Sequence, residues 1–479
     1  MAAEYDAFCK DDPVHKAADH EEKLLSESDA VTVEITGEGF KELVPGVDMG
    51  DELVCSVKGF DTIDFSQLSN KAEDIRYDPL CAVFNSFAEV SGCKGCFKIT
   101  ATHCETKEID FRPDIALYPD DVPLATEAYL REVTKDNPNV ARCAWAWMIM
   151  ALEVKCKDED AGYGFEVAIT DAHSRARIPL FRNTPRGRQS RAQFVKYACE
   201  IMQRQHRTHV YSIYITSSAV RFFRFDRAGC IVSAPIDLRS QFALFRDITY
   251  RLLNLSSKDQ GFDDTVSLAS PDLLRTLRAC RPKGKPYLEQ LYHDHLTPNK
   301  HLYPIYQVTC PVVSIGDAAQ IAPVDHAGNP LPPEQRTYLI GKPVTTRSSP
   351  TGRCTRGYMA FEVEMRRMVF LKDQWRAAPR RPELDVYRRL HSRIQDESSR
   401  KYIATPIAGG DIDGQRTDSQ DFMNHLDSRL RPVERVHTRL ITKEIGRPLE
   451  TYHGSYELIK FVRHAFTGMH RYCLSLSAG

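Results

Sequence analysis

The most apolar run in the sequence, CAWAWMIMALEV at residues 143–154, sets the first limit on the fold. It is far too short to cross a bilayer, so protein must bury it, and it suits a central strand. Strand-like runs surround it. CFKITATHC and DIALYP precede it; HVYSIYIT and AVRFFRFD follow as a hairpin across Ser217-Ser218, and DRAG turns into CIVSAPI. Between these lies a helix, SRAQFVKYACEIMQRQHR. Phe194, Tyr197, Ala198, Ile201 and Met202 recur at helical spacing, and Ser190 is the expected N-cap. A second helix over 240–254 closes this module. The fold class expected is α+β.

The 479 residues suggest two or three domains, and 42% hydrophobic with 27% charged residues can build sizeable cores. A net charge of −1 gives no support to a nucleic-acid partner, which would need a local patch. The arginines of 376–393 read as a solvated helix face. The N-terminus has no apolar signal core, and the fourteen cysteines are scattered as free thiols would be. An intracellular protein, cytoplasmic or nuclear, with no membrane partner is expected. Cys93, Cys96, His103 and Cys104 lie close in sequence, but no second C-x-x-C follows, so small buried cysteines are the simpler reading than zinc. The expected organisation is a loose N-terminal region (1–85), a first module (86–260), a linker (261–300) and a second unit (301–479). A polar stretch at 394–433 reads as a surface insertion, and APVDHAGNPLPPEQ as a Pro-rich loop.

Two constellations carry chemistry. The first is Pro113-Asp114 in RPDIALYP with Glu153-Val154-Lys155 in ALEVKCK. Alternation along a strand points Glu153 and Lys155 to one face, where a carboxylate from a neighbouring strand can join them. Two carboxylates can hold Mg²⁺ and a lysine can orient a water. The alternative is an ion pair at a strand end, of little energetic weight. Gln193 and Tyr197 follow at i and i+4 on one helix. This order resembles the PD-(D/E)XK nuclease superfamily. The resemblance implies Asp114 and Glu153 as metal ligands, with Lys155, Gln193 and Tyr197 in support.

The second constellation is TGRCTRGYMAFEVEMRRMVFLK. Gly352 and Gly357 fit the first and third glycines of G-x-G-x-x-G, with Cys354 in the middle. Strand, glycine turn, strand, and a strand ending on Lys372 is how protein kinases cover nucleotide phosphates. The helix that follows, RRPELDVYRRLHSRI, has Pro382 near its start and Glu383 in its first turn. Leu384, Tyr387, Leu390 and Ile394 recur along it at helical spacing. The gap from Lys372 to Glu383 is short for the usual ion pair.

FLKDQWR, ELDVYRRL, GRCTRGY, FRFDRAGCIVS, QGFDDTV and HTRLITKEIGRPL together resemble the fungal-type protein kinase family, over roughly residues 90 to 479. The resemblance implies a nuclease-like module, then a kinase-like N-lobe and the start of a C-lobe. It implies ATP and Mg²⁺ as cofactors and Ser/Thr-type phosphoryl transfer. Lys372 would pair the phosphates, Glu383 would steady it, and the backbone from Glu444 to Gly446 would face adenine. SYELIKFVRHAFTGMHRYC would be the first long helix of the large lobe, with an apolar stripe of Leu458, Ile459, Val462, Phe466 and Met469. The family's catalytic loop and metal aspartate do not follow HRYCLSLSAG, and Tyr472 stands where MHRYC would need an aspartate. The expectation is a truncated chain, inactive as written, with an exposed apolar face. An interaction or scaffold protein, or a metal-dependent nuclease, are the other readings. The sequence does not indicate the phosphoryl acceptor or the protein partner.

Overall fold

The computed structural model describes residues 13–50, 53, 73–106, 109–133, 136–156, 160–165, 179–297, 302–313, 333–345, 349–394, 400–426, 431–447 and 452–477. Two sheets organise them, and the class is α+β as expected.

The first unit runs α1 (Pro13–Asp29), β1 (Thr32–Ile35), α2 (Gly37–Leu43), α3 (Tyr77–Ser91), β2 (Gly95–Ile99), β3 (Ile115–Pro119), α4 (Pro123–Tyr129) and β4 (Met150–Val154). It continues through α5 (Pro185–Arg204), β5 (His209–Ile215), β6 (Ala219–Asp226), β7 (Cys230–Ser233), β8 (Ile236–Asp237) and α6 (Phe242–Leu253). The strand order is β1-β7-β6-β5-β4-β3-β2, with β8 beside β6. β2, β3 and β4 form an antiparallel meander; β4 then pairs β5 in parallel across the α5 crossover. Every residue of β4, β5 after His209, and β6 is buried, because helices cover both faces. Phe40, Phe84 and Phe245 of α2, α3 and α6 fill one side; Phe194 and Tyr197 of α5 fill the other.

The second unit runs β9 (Val266–Leu268), α7 (Pro271–Ala279), α8 (Pro286–Leu296), β10 (Tyr306–Pro311), β11 (Gln335–Ile340), β12 (Arg356–Glu362), β13 (Arg367–Ala377), α9 (Glu383–Arg393), β14 (Pro406–Arg416), β15 (Arg435–Thr442) and α10 (Ser455–Ser477). Its seven strands are all antiparallel, in the order β14-β15-β13-β12-β11-β10-β9. Leu277, Leu291 and Leu296 of α7 and α8 cover one face over Met359 and Phe361. The other face meets the first unit through buried charge. Asp373 accepts from Arg356 (3.0 Å) and Arg439 (3.0 Å) and lies 3.0 Å from His437 Nε2. Arg439 also pairs with Asp263, and Arg356 donates to Gln205 O (2.8 Å) past the end of α5.

Several expected boundaries are corrected. Residues 1–85 are not loose where described: β1 pairs β7, and Phe40 and Val44 are fully buried. A four-residue strand whose partner lies some two hundred residues away leaves no local signature. The stretch 261–300 is not a linker, since β9 joins the sheet and α7 and α8 cover it. Where it is described, the stretch 394–433 is not a surface insertion. β14 pairs β15, and beyond it Ser419 donates to buried Asp226 (2.6 Å). Ser190 does not cap α5: Thr184 does, accepting from Gly187 N, with Pro185 in the first turn. Most of the Pro-rich loop lies outside the described residues.

Burial alone would raise the Asp373 carboxyl, yet His437, Arg356 and Arg439 hold it well below the usual carboxylate range. Asp263 is lowered in the same way by Arg439 and His437 against its burial. Depressed folded values mean stability that is complete above the unfolded carboxylate pKa and lost as pH falls below it. We expect urea unfolding to show this loss beginning below about pH 4, where free Asp protonates. Asp373→Ala, which strands two buried guanidiniums, should cost about 3–5 kcal/mol at neutral pH. A cost below about 1 kcal/mol would remove the cluster from the list of what joins the two units.

Candidate functional site

Period-two alternation divides β13 between two environments. Leu371, Asp373 and Trp375 are buried on the face toward the first unit; Phe370, Lys372 and Gln374 lie on the other. Lys372 is not at a strand tip, as the sequence suggested. The strand runs five residues further, and Lys372 sits mid-sheet between Gly357 of β12 and Leu440 of β15.

The short gap to Glu383 is closed by geometry. β13 ends at Ala377, and the chain reverses before Pro382. The first turn of α9 then returns beside the strand. Glu383 Oε2 accepts from Lys372 Nζ at 2.6 Å and from Gln374 Nε2 at 3.0 Å. Both charged side chains remain about 30% exposed, so this cation sits in a cleft and not in the core.

The cleft has a volume of about 510 Å³. Lys372 and Glu383 line it with Phe370, Tyr387, Tyr402 and Leu440, and its rim carries Glu444 and Gly446. The Glu444 carboxylate turns away to accept from Thr405 N (2.7 Å) and Thr405 Oγ1 (3.0 Å). Gly446 O accepts from Tyr287 on α8 (2.9 Å).

The structure thus gathers Lys372, Glu383, Glu444 and Gly446, but not Gly352. The Gly352 N–H donates to Arg227 O (2.9 Å) in the first unit, and Arg353 O accepts from Trp375 N (2.8 Å). Gly357 faces Lys372 in register, yet the space a side chain would need there is taken. An added Cβ would meet the Phe370 ring at 2.7 Å and Thr345 Oγ1 at 2.8 Å. Cys354 holds φ 43°, a conformation that normally favours glycine, so the middle glycine position keeps its backbone requirement without its residue. Sequence reasoning missed Phe370, Tyr387 and Tyr402. Phe370 was within reach, since two residues before Lys372 on a strand is the same face.

The other constellation also converges. Asp114 precedes β3, and Glu153 and Lys155 lie on and just after β4. Glu153 Oε1 pairs with Lys155 Nζ at 2.6 Å, and Glu153 Oε2 accepts from Tyr197 of α5 at 2.9 Å. Asp114 accepts from Tyr77 Oη (2.8 Å) and Val154 N (2.7 Å). Burial, with Glu153 and Asp114 beside it, raises the Tyr197 phenol well above its usual value. Gln193 lies one turn before Tyr197 on α5, half-buried. These carboxylates are enclosed, with Glu153 only 1% exposed. Among the described residues no three His, Cys, Asp or Glu side chains group as a metal cage.

The family described as Fungal protein kinase matches residues 180–421, just over half of the chain. The match starts near α5 of the first unit and ends beyond β14 of the second, so it crosses the junction between the sheets. No curated protein and no solved structure shows a significant match.

A partly exposed ion pair contributes little to folding, about 1 kcal/mol at most. Glu383→Ala should therefore leave the urea midpoint nearly unchanged, in contrast to Asp373→Ala. A loss above about 2 kcal/mol would make Lys372–Glu383 a structural pair and not one kept for a ligand.

Proposed function

Since the chain belongs to the fungal protein kinase family, we propose that the Lys372 cleft is a nucleotide site of kinase type. The observation that carries this reading is the 2.6 Å Lys372–Glu383 pair in an open cavity beside the strand-to-helix connection. The order β11-β12-β13-β15-β14, with α9 inserted between β13 and β14, supports a kinase-like N-lobe, and α10 then stands as the opening helix of a C-lobe. Glu444 to Gly446, following β15, take the place of the hinge.

ATP fits what the cleft offers. Its volume is within the range of small-molecule sites. Phe370, Leu440, Tyr387 and Tyr402 supply apolar and aromatic walls for a base. Glu383 fixes the Lys372 ammonium, whose remaining N–H donors are suited to the α- and β-phosphates. Mg²⁺–ATP, when bound, supplies the γ-phosphoryl group for transfer to a Ser or Thr acceptor. Lys372 neutralises phosphate charge, and Glu383 acts as a positioning residue.

Isothermal titration of ATP should give binding that Lys372→Met weakens at least tenfold, and Glu383→Gln less so. Equal affinity in wild type and Lys372→Met would discard the reading. An interaction protein is a second reading, favoured by Tyr456, Ile459, Val462 and Phe466, which α10 leaves exposed. ATP binding without transfer to any protein would favour it.

A metal-dependent nuclease is supported by the convergence of Asp114, Glu153, Lys155 and Tyr197 and opposed by their enclosure. We expect no Mg²⁺-dependent cleavage of DNA or RNA. Cleavage by the wild type that Glu153→Gln abolishes, in a variant with unchanged circular dichroism, would establish the nuclease instead.

A further inference from the structure

Three arginines from separate segments meet in a second cavity of about 350 Å³, which shares no residue with the Lys372 cleft. Arg227 comes from the turn between β6 and β7, Arg353 from the glycine turn, and Arg435 from the first position of β15. The floor of the site is built and not incidental. Arg227 is 2% exposed and donates to Pro350 O (3.3 Å) and Met202 O (2.9 Å), while its Nε has no acceptor. Both acceptors are neutral carbonyls, so its charge is not compensated by them. Arg353 is exposed, and Arg435 is half-buried with one long bond to Trp375 O (3.5 Å). Among the described residues none of the three guanidiniums forms an ion pair. Glu27, the one carboxylate among the described lining residues, is exposed and lies 3.9 Å from Lys23.

Burial, together with Arg353 and Arg380, lowers Arg435 from the usual guanidinium value. Gly352 (φ 98°) and Cys354 (φ 43°) flank Arg353 with left-handed backbone, and the Gly352 N–H is tied to Arg227 O (2.9 Å), which fixes the turn that carries Arg353. Ser349 and Thr351 lie in the same wall, where the Ser349 hydroxyl donates to Thr351 O (3.0 Å) and closes the turn.

We propose that this cavity binds a phosphate monoester, with Arg353 and Arg435 as its direct ligands and Arg227 holding the glycine turn that presents Arg353. Guanidinium forks match phosphate oxygens bidentately, and a dianion balances an uncompensated cationic cluster better than a carboxylate can. The cavity is lined by both units, with both direct ligands on the second and Arg227 on the first. It is independent of the nucleotide reading, because it uses neither Lys372 nor Glu383.

The test titrates the full chain with inorganic phosphate, with a phosphoserine peptide and with the unphosphorylated peptide, by calorimetry at constant ionic strength set with chloride. Phosphate or phosphopeptide binding should weaken at least tenfold in Arg353→Gln, an exposed position that leaves folding intact, and survive in Lys372→Met. A phosphopeptide at least tenfold tighter than inorganic phosphate assigns the site to phosphorylated protein; equal affinities assign it to free phosphate esters. No binding of either above the chloride background, or binding unchanged in Arg353→Gln, overturns the proposal.

Discussion

Asp373 is the interaction on which the arrangement depends. A carboxylate buried to 1% exposure would be a large liability alone. Here it is surrounded by Arg356, Arg439 and His437, and Arg439 is shared with Asp263. Gln415 closes the set by donating to Asp263 (2.7 Å) and lying 2.6 Å from His437 Nδ1. Such a cluster need not add net stability over an apolar substitute, but it penalises any alignment that leaves one member unpaired. Its members come from β12, β13, β14, β15 and the segment before β9. It therefore specifies register across the sheet, and through Arg356 it specifies how that sheet meets the end of α5.

This cluster also explains which parts of the molecule were legible in the sequence. Lys372, Glu383 and the E-x-K of Glu153 and Lys155 could be read because each pairing is local or follows from strand alternation. Asp263 and Asp373 could not, since no spacing rule relates residues more than a hundred positions apart. β14, PIAGGDIDGQR, looks like a polar insertion because its ladder runs along β15 alone, with only a bridge from Ala408 to Val312 on its other side among the described residues. Gly409 adds to that appearance while serving the strand. At φ 127° it passes so close to the Arg439 carbonyl that a side chain has no room. Composition reported a loop where backbone pairing made a strand.

The glycine turn shows the opposite failure, a local motif whose setting decides its role. Its spacing is right for a phosphate-covering loop, and Cys354 even holds left-handed backbone. The turn nevertheless spends Gly352 N on Arg227 O and receives Trp375 N at Arg353 O. Those bonds draw it toward the first unit and away from the Lys372 cleft. A motif defined by backbone freedom cannot say which neighbour will use that freedom.

Lys372 and Asp373 are adjacent in sequence and opposite in environment, and this juxtaposition gives the cleft its rigidity. The backbone at residue 372 is paired on both sides, to Gly357 and to Leu440. The next residue is clamped by three cationic or polar partners on the buried face. Only the lysine side chain keeps freedom, and Glu383 removes part of that by fixing Nζ at 2.6 Å. Ordering a free lysine costs conformational entropy when a ligand arrives. A lysine already held in place, on a strand that cannot shift without breaking a buried ion cluster, has met most of that cost during folding. The same strand thus couples the junction of the two units to the positioning of a single cation.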